Sequence, residues 1–203
     1  MQDTLAKKTL STDSFFSSDT AFDKLYPEPI RQLAHRHWTP LEVAKKAAAY
    51  LATDKSARIL DIGSGVGKFC LAAAHFQPDA QFYGIEQRES LVEYAKQAQQ
   101  QLQLKNVSFT AGNFTGLKFK TYDHFYFYNS FYENLVGTQK IDDKVDYSRE
   151  LYDLYNFTLY RQLEKMPLGT KLVTFQVVGD EWPKGYHVVG SDMENLLNFL
   201  IKI

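Results

Sequence analysis

The chain has 203 residues, 44% of them hydrophobic and 23% charged, with a formal net charge of −1. That length suits one domain with a real core and is short for two, and the near-neutral balance excludes a global field that would draw in nucleic acid or an anionic membrane. One cysteine, Cys70, excludes an internal disulfide framework; no apolar run approaches the roughly 18 residues of a membrane span, and MQDTLAKKTLSTDSFF lacks a secretory core, so a soluble, cytoplasmic chain is expected.

Residues 1–20 are rich in Ser, Thr and Asp without periodicity and are expected to be a loose arm. Lys7-Lys8 and Lys45-Lys46 are isolated pairs that suit solvated faces. IRQLA, after Pro27 and Pro29, predicts a short helix. In HWTPLEVAKKAAAYLA, Thr39 suits an N-cap and Pro40 the first helical position, with Leu41, Ala44, Ala48 and Leu51 at helical spacing. The expected division is an arm and short helix over 1–36, then one domain over 37–203.

From Ala57 onward strands and helices alternate. ARILDI (57–62), QFYGIE (81–86), VSFTAGN (107–113), YDHFYFYN (122–129) and TKLVTFQVV (170–178) read as strands. KFCLAAAHF (68–76), SLVEYAKQAQQQLQL (90–104) and RELYDLYNFTLYRQLEKM (149–166) read as helices, the last with Leu151, Leu154, Tyr155, Thr158 and Leu159 on one face. YHVVGS (186–191) and NLLNFLIKI (195–203) read as a closing pair of strands. Such alternation implies an α/β fold, a parallel sheet covered by helices on both faces.

The turn after the first strand reads DIGSGVGK, Asp61 to Lys68. Glycines there admit positive φ and let a ligand touch the backbone at the carboxyl end of the sheet. A dinucleotide fingerprint would place its third glycine at position 68, which is lysine, and no phosphate-loop G-K-[ST] follows. Glu86 ends the second strand 19 residues after Gly67, where a carboxylate accepts both hydroxyls of a ribose. Asp61 would repel a pyrophosphate but attract an ammonium. A ligand with an ammonium and a ribose but no phosphate satisfies both carboxylates, and S-adenosylmethionine has that pattern.

The DIGSGVG turn with Glu86 resembles the class I S-adenosylmethionine-dependent methyltransferases, over the element order from about residue 38 to the C-terminus. DIGSGVG and YGIE also resemble the Dot1-like protein-lysine methyltransferases and related small bacterial enzymes. The resemblance implies a doubly wound, Rossmann-like, seven-stranded, mostly parallel sheet with an antiparallel last strand, and S-adenosylmethionine as cofactor. It implies Asp61, Gly63 and Gly65 around the methionine moiety, Ser64 and Gly67 also on the cofactor, Glu86 on the ribose, and Gln87 beside the adenine. Asn113 and Phe114 would lie at the adenine edge, where the family often has an acid, so Asn113 is a departure. Thr39, ahead of its helix, would approach the methionine end.

Methyl transfer from a sulfonium is a direct displacement that needs alignment and exclusion of water more than a strong base. Asn129 stands where the fourth strand should end. Its amide would orient an amine lone pair as the catalytic residue while also meeting the cofactor, and Phe131 and Tyr132 would wall the substrate pocket. Phe125, Tyr126 and Phe127 read as core, as does Cys70. NSFY resembles the NPPY of amino-group methyltransferases, with Ser130 and Phe131 in place of the prolines. The expected acceptor is an amine on a protein side chain or a small molecule. The rivals are an RNA methyltransferase, disfavoured for want of a basic stripe; a non-catalytic S-adenosylmethionine-binding protein; and a dehydrogenase, for which Lys68 and Asp61 are poor residues. His35-x-His37 lacks a supporting frame, so no metal is expected. Asp142, Asp143 and Asp146 read as a solvated or mobile loop within 133–148, where a lid would be built; Tyr147 and the Tyr152/Tyr155 pair could face the pocket, though a helix face packed on the sheet is the safer reading.

Overall fold

The computed structural model describes residues 12–177 and 182–203. Seven strands form one sheet: β1 (Arg58–Ile62), β2 (Gln81–Glu86), β3 (Val107–Ala111), β4 (His124–Phe127), β5 (Lys171–Phe175), β6 (Tyr186–Asp192) and β7 (Leu197–Lys202), in the order β3-β2-β1-β4-β5-β7-β6. β1 pairs in parallel with β2 and β4, whereas β7 runs antiparallel to both β5 and β6. The strand order reverses between β1 and β4, so the loops leaving these two strands border the crevice in which open α/β sheets bind ligands.

The α/β class, the seven strands and the antiparallel last strand agree with the expectation. Element ends differ by up to three residues, because strand character continues beyond the last ladder partner. The fourth strand pairs only over 124–127 rather than 122–129, and the fifth over 171–175 rather than 170–178, Val178 lying outside the described residues.

The expected loose arm is corrected within the described residues; its first part, with Lys7-Lys8, lies outside them. Four short helices, α1 (Thr12–Phe15), α2 (Asp19–Asp23), α3 (Glu28–Arg31) and α4 (Ala34–His37), lead into α5 (Leu41–Leu51). Phe16, Phe22 and Tyr26 are buried in the core that α5 and α6 (Lys68–Phe76) share. Ser and Thr mask this segment as a loop, yet an aromatic residue every few positions is enough to pin it. Ser18, for example, caps α2 by accepting from the Ala21 amide.

Thr39 is corrected as well. Pro40 holds the N-cap position of α5, and the Leu41 amide donates to Asp19 Oδ1 at 2.9 Å instead. The Thr39 hydroxyl is spent on the Tyr126 hydroxyl, 3.0 Å away in β4. A cap from another helix satisfies the orphan donor as well as a local one, but no local sequence pattern announces it.

The remaining helices are α7 (Glu89–Leu102) and α8 (Arg149–Leu163). α8 buries Tyr155, Leu159 and Leu163, while Leu154, assigned to its apolar face, is half exposed with Phe157. On this side of the sheet a second aromatic core gathers Phe114, Phe119, Phe125, Phe127 and Phe131 with Tyr155.

Candidate functional site

A cavity of about 720 Å³ opens at the carboxyl ends of β1, β2 and β4. Its floor is the glycine turn. Gly63, Gly65 and Gly67 adopt φ of +78°, +53° and +83°, values that favour glycine. Two of them also have no room for a side chain. A Cβ on Gly63 would stand 2.4 Å from Ser130 Cβ, and one on Gly67 would stand 2.5 Å from the Phe109 ring. Gly65 has nothing within 4 Å of that position. The turn is fastened to β2 by the Gly63 and Ser64 amides, both donating to the Ile85 carbonyl at 2.9 Å.

Asp61 and Glu86 line the cavity and are both buried. Asp61 receives the Cys70 thiol at 3.6 Å, a weak donor, and burial pushes its carboxyl up to about 8, with Glu86 adding to the rise. So poor a solvation shell around a buried acid suits an incoming cation. Cys70 packs in the core as expected, and its proton serves Asp61. Glu86 Oε2 accepts from the Gly65 amide at 3.1 Å, and Oε1 accepts from the Arg88 amide at 3.0 Å. The buried Ser64 hydroxyl has no partner among the described residues. An underprovided carboxylate, an orphaned hydroxyl and glycine backbone facing open space fit an amino-acid and ribose ligand. Asp61, Ser64, Gly65 and Glu86 would hold S-adenosylmethionine there.

The opposite wall comes from the end of β4 and the N-terminal helices. Asn129 lines the cavity in a left-handed conformation, φ +38°, and its side-chain amide has no hydrogen-bond partner among the described residues. Asparagine is among the non-glycine residues that adopt this region most readily, which suits the turn that closes at Asn129, where the Tyr132 amide donates to its carbonyl at 3.0 Å. Tyr132 is largely exposed and lines the cavity. Thr39 lines it beside Trp38.

Five expected residues do not line the cavity: Gly67, which turns its Cβ position onto the Phe109 ring, and Gln87, Asn113, Phe114 and Phe131. Phe131 is buried and stacks on Phe114 at 5.1 Å between ring centres, so the aromatic wall assigned to it is corrected to core packing. Phe114 is likewise in that cluster. Asn113 Nδ2 donates to Gln87 Oε1 at 3.1 Å and to the Tyr155 hydroxyl at 3.0 Å, tying this corner together away from the cavity lining. The sequence pattern places an aromatic after Asn129 but cannot say which of two neighbours turns inward.

Other participants carry weak sequence signals. Arg88 is buried at the cavity wall, surrounded by Glu86, Glu133 (2.5 Å), Asp142 (3.1 Å) and the Tyr147 hydroxyl (2.5 Å). Burial opposes its charge, but Glu133 and Glu86 outweigh burial and raise its pKa. Burial and the bond to Glu133 push Tyr147 up to about 12. Asp142 is thus drawn into a network rather than left solvated as read from the sequence. Lys68 is buried between Asp23 (2.7 Å) and Asp19 (2.8 Å), its ammonium 5.6 Å above the Trp38 ring. His37 lies 3.9 Å from Glu133, and burial lowers its pKa despite that carboxylate. Among the described residues no three His, Cys, Asp or Glu side chains form a metal-holding group, and no helix is long and apolar enough to cross a membrane.

A family described as a methyltransferase domain matches residues 53–152. A tRNA (guanine-N(7)-)-methyltransferase from Synechococcus sp. (strain JA-3-3Ab) is 50% identical over 54 residues, 27% of this chain and 23% of the relative. A namesake from Nostoc sp. (strain PCC 7120) is 38% identical over 80 residues, 39% of this chain and 36% of that one. The chain therefore spans about a quarter to a third of the length of these curated relatives. Among solved structures, an RNA methyltransferase from Salinibacter ruber in complex with S-adenosyl-L-homocysteine superposes with a TM-score of 0.53 at 21% identity, covering 81% of this chain and 90% of that one. A precorrin-6y C5,15-methyltransferase from Geobacter metallireducens gives 0.53 at 14% identity, covering 83% and 90%. These likenesses show a shared fold, under which acceptors differ. Residues 53–152 thus match a methyltransferase domain, and the sheet that the strands beyond residue 152 complete has the fold of S-adenosylmethionine-dependent methyltransferases.

Proposed function

We propose that the protein transfers a methyl group from S-adenosylmethionine to a nitrogen acceptor presented beside Asn129. The observation that carries this reading is the Asn129 side-chain amide, unpartnered among the described residues, on the cavity that also contains Asp61 and Glu86. When bound, the cofactor supplies an electrophilic methyl on a sulfonium. Asp61 offers a carboxylate to an ammonium, Glu86 offers one to a ribose diol, and the Gly65 backbone leaves space for close approach. The Asn129 amide oxygen accepts an N–H of the acceptor and so fixes the direction of its lone pair, a contribution of alignment rather than of basicity. Trp38, Tyr128 and Tyr132 limit water on that side.

An amine on a protein or small molecule is the preferred acceptor, because an amide and aromatic rings suffice for it. A base nitrogen of RNA is a second reading, favoured by the tRNA (guanine-N(7)-)-methyltransferases that match part of the chain. A cytoplasmic location suits either reading. Incubation with methyl-tritiated S-adenosylmethionine and a cell extract, fractionated after protease or ribonuclease digestion, tests this. Label should enter one fraction with wild type and fall at least a hundredfold with Asn129→Ala, while S-adenosylhomocysteine still binds. Equal labelling by the variant would remove Asn129 from the chemistry, and no calorimetric binding of either cofactor form would remove the reading altogether.

A further inference from the structure

Glu86 and the segment that follows β4 lie on different crossovers, yet one side chain joins them. The guanidinium of Arg88 spends one nitrogen on Glu86 (3.4 Å), one on Asp142 (3.1 Å) and the third on Glu133 and Tyr147, both at 2.5 Å. Tyr147 in turn donates to Glu133 Oε2 at 2.8 Å. The Ile141 amide also donates to that oxygen, at 3.3 Å. Glu133 Oε1 faces His37 of α4. Glu133, Gly137, Thr138, Gln139 and Ile141 all line the cavity, so this segment is part of its wall. Asp142 and Tyr147 do not line it.

Two physical consequences follow. A buried carboxylate needs charge compensation, and Arg88 is the cation that touches Glu86. A planar fork reaching several acceptors also imposes mutual orientation on them, which a point charge would not. Anything that re-aims Glu86 re-aims the fork, and with it Glu133.

We propose that Arg88 is a positioning residue that couples cofactor binding at Glu86 to the ordering of residues 133–147, the wall on the acceptor side. The inference rests on the cofactor reading above. Cofactor occupancy fixes Glu86, Glu86 fixes the guanidinium, and the guanidinium fixes Glu133, Asp142 and Tyr147. Cofactor binding and order in the acceptor wall therefore favour each other reciprocally.

The test uses S-adenosylhomocysteine on the whole chain, by calorimetry and hydrogen exchange. In wild type, saturation should slow exchange at 133–147. In Arg88→Met, affinity should fall ten- to thirtyfold, and residues 133–147 should gain no protection even at saturation. Glu86→Gln should lose a comparable factor, and the double variant little more than the worse single one, because each acts through the other. Tyr147→Phe, outside the cavity, should still weaken binding three- to tenfold, and it keeps the test decisive should Arg88→Met not fold. Multiplicative losses for Arg88 and Glu86, protection retained in Arg88→Met, or unchanged affinity in Tyr147→Phe would each overturn the coupling while leaving the cofactor reading intact. Failure of wild type to bind S-adenosylhomocysteine would instead sink the cofactor reading and the coupling with it.

Discussion

Replacing Asp61 with asparagine should stabilise the ligand-free protein at neutral pH while destroying its hold on the cofactor. Burial pushes the Asp61 carboxyl up to about 8 in the folded chain, against roughly 3.9 when unfolded. A carboxyl whose folded value lies above its unfolded one binds its proton more tightly when folded. Its contribution to stability is therefore fully present below about pH 4 and is lost as pH rises towards 8. Each pH unit in that window costs about 1.4 kcal/mol, so by pH 7 the penalty is on the order of 4 kcal/mol, an upper bound because cavity water relieves part of it. Asparagine keeps the shape without that proton. Thermal unfolding of both proteins from pH 4 to 8 should give curves that nearly meet at the acid end and separate by roughly 10 °C at pH 7. Calorimetry at pH 7 should find S-adenosylhomocysteine binding to the variant at least tenfold weaker. A difference between the two proteins that stays constant across the range would refute the reasoning.

Three more outcomes are expected. Gly63→Ala should lose roughly 2–4 kcal/mol in chemical denaturation and all measurable cofactor affinity, since its Cβ would overlap Ser130 at 2.4 Å in a left-handed conformation. Phe131→Ala and Tyr132→Ala should part company: the first should lose about 3–5 kcal/mol of stability by emptying the second core, while the second should change stability little and lower methyl transfer, as melting and transfer assays would read. Lys68→Met should leave Asp19 and Asp23 without their buried cation, loosening residues 12–37, which limited proteolysis would detect as early cleavage ahead of Trp38.

The order of the elements and the cofactor turn were legible because their signals are local. DIGSGVG must be glycine wherever φ is positive, and Glu86 stands at a fixed distance along one βαβ unit. What escaped depended on partners far away in the chain. Asp19 caps α5 from 22 positions upstream, and Arg88 meets Tyr147 from 59 positions away. The packing of Phe16 and Phe22 under a Ser/Thr-rich surface was hidden by composition, which reads polarity but not the few large rings that decide burial. Phe131 and Tyr132 differ by one position and point to opposite destinations, a matter settled by a single backbone turn at Asn129.

Ser130 has a consequence that reaches both halves of the cavity. Its hydroxyl donates to the Ile62 carbonyl at 2.5 Å, and its Cβ occupies the space that Gly63 leaves open. The loop leaving β1 and the loop leaving β4 are thereby keyed to each other like two halves of one hinge plate. Any bulkier residue at 130 would lift the cofactor turn as well as the acceptor loop. Adaptation to a new acceptor is therefore freer at Tyr132, an exposed side chain on the cavity, than at residue 130.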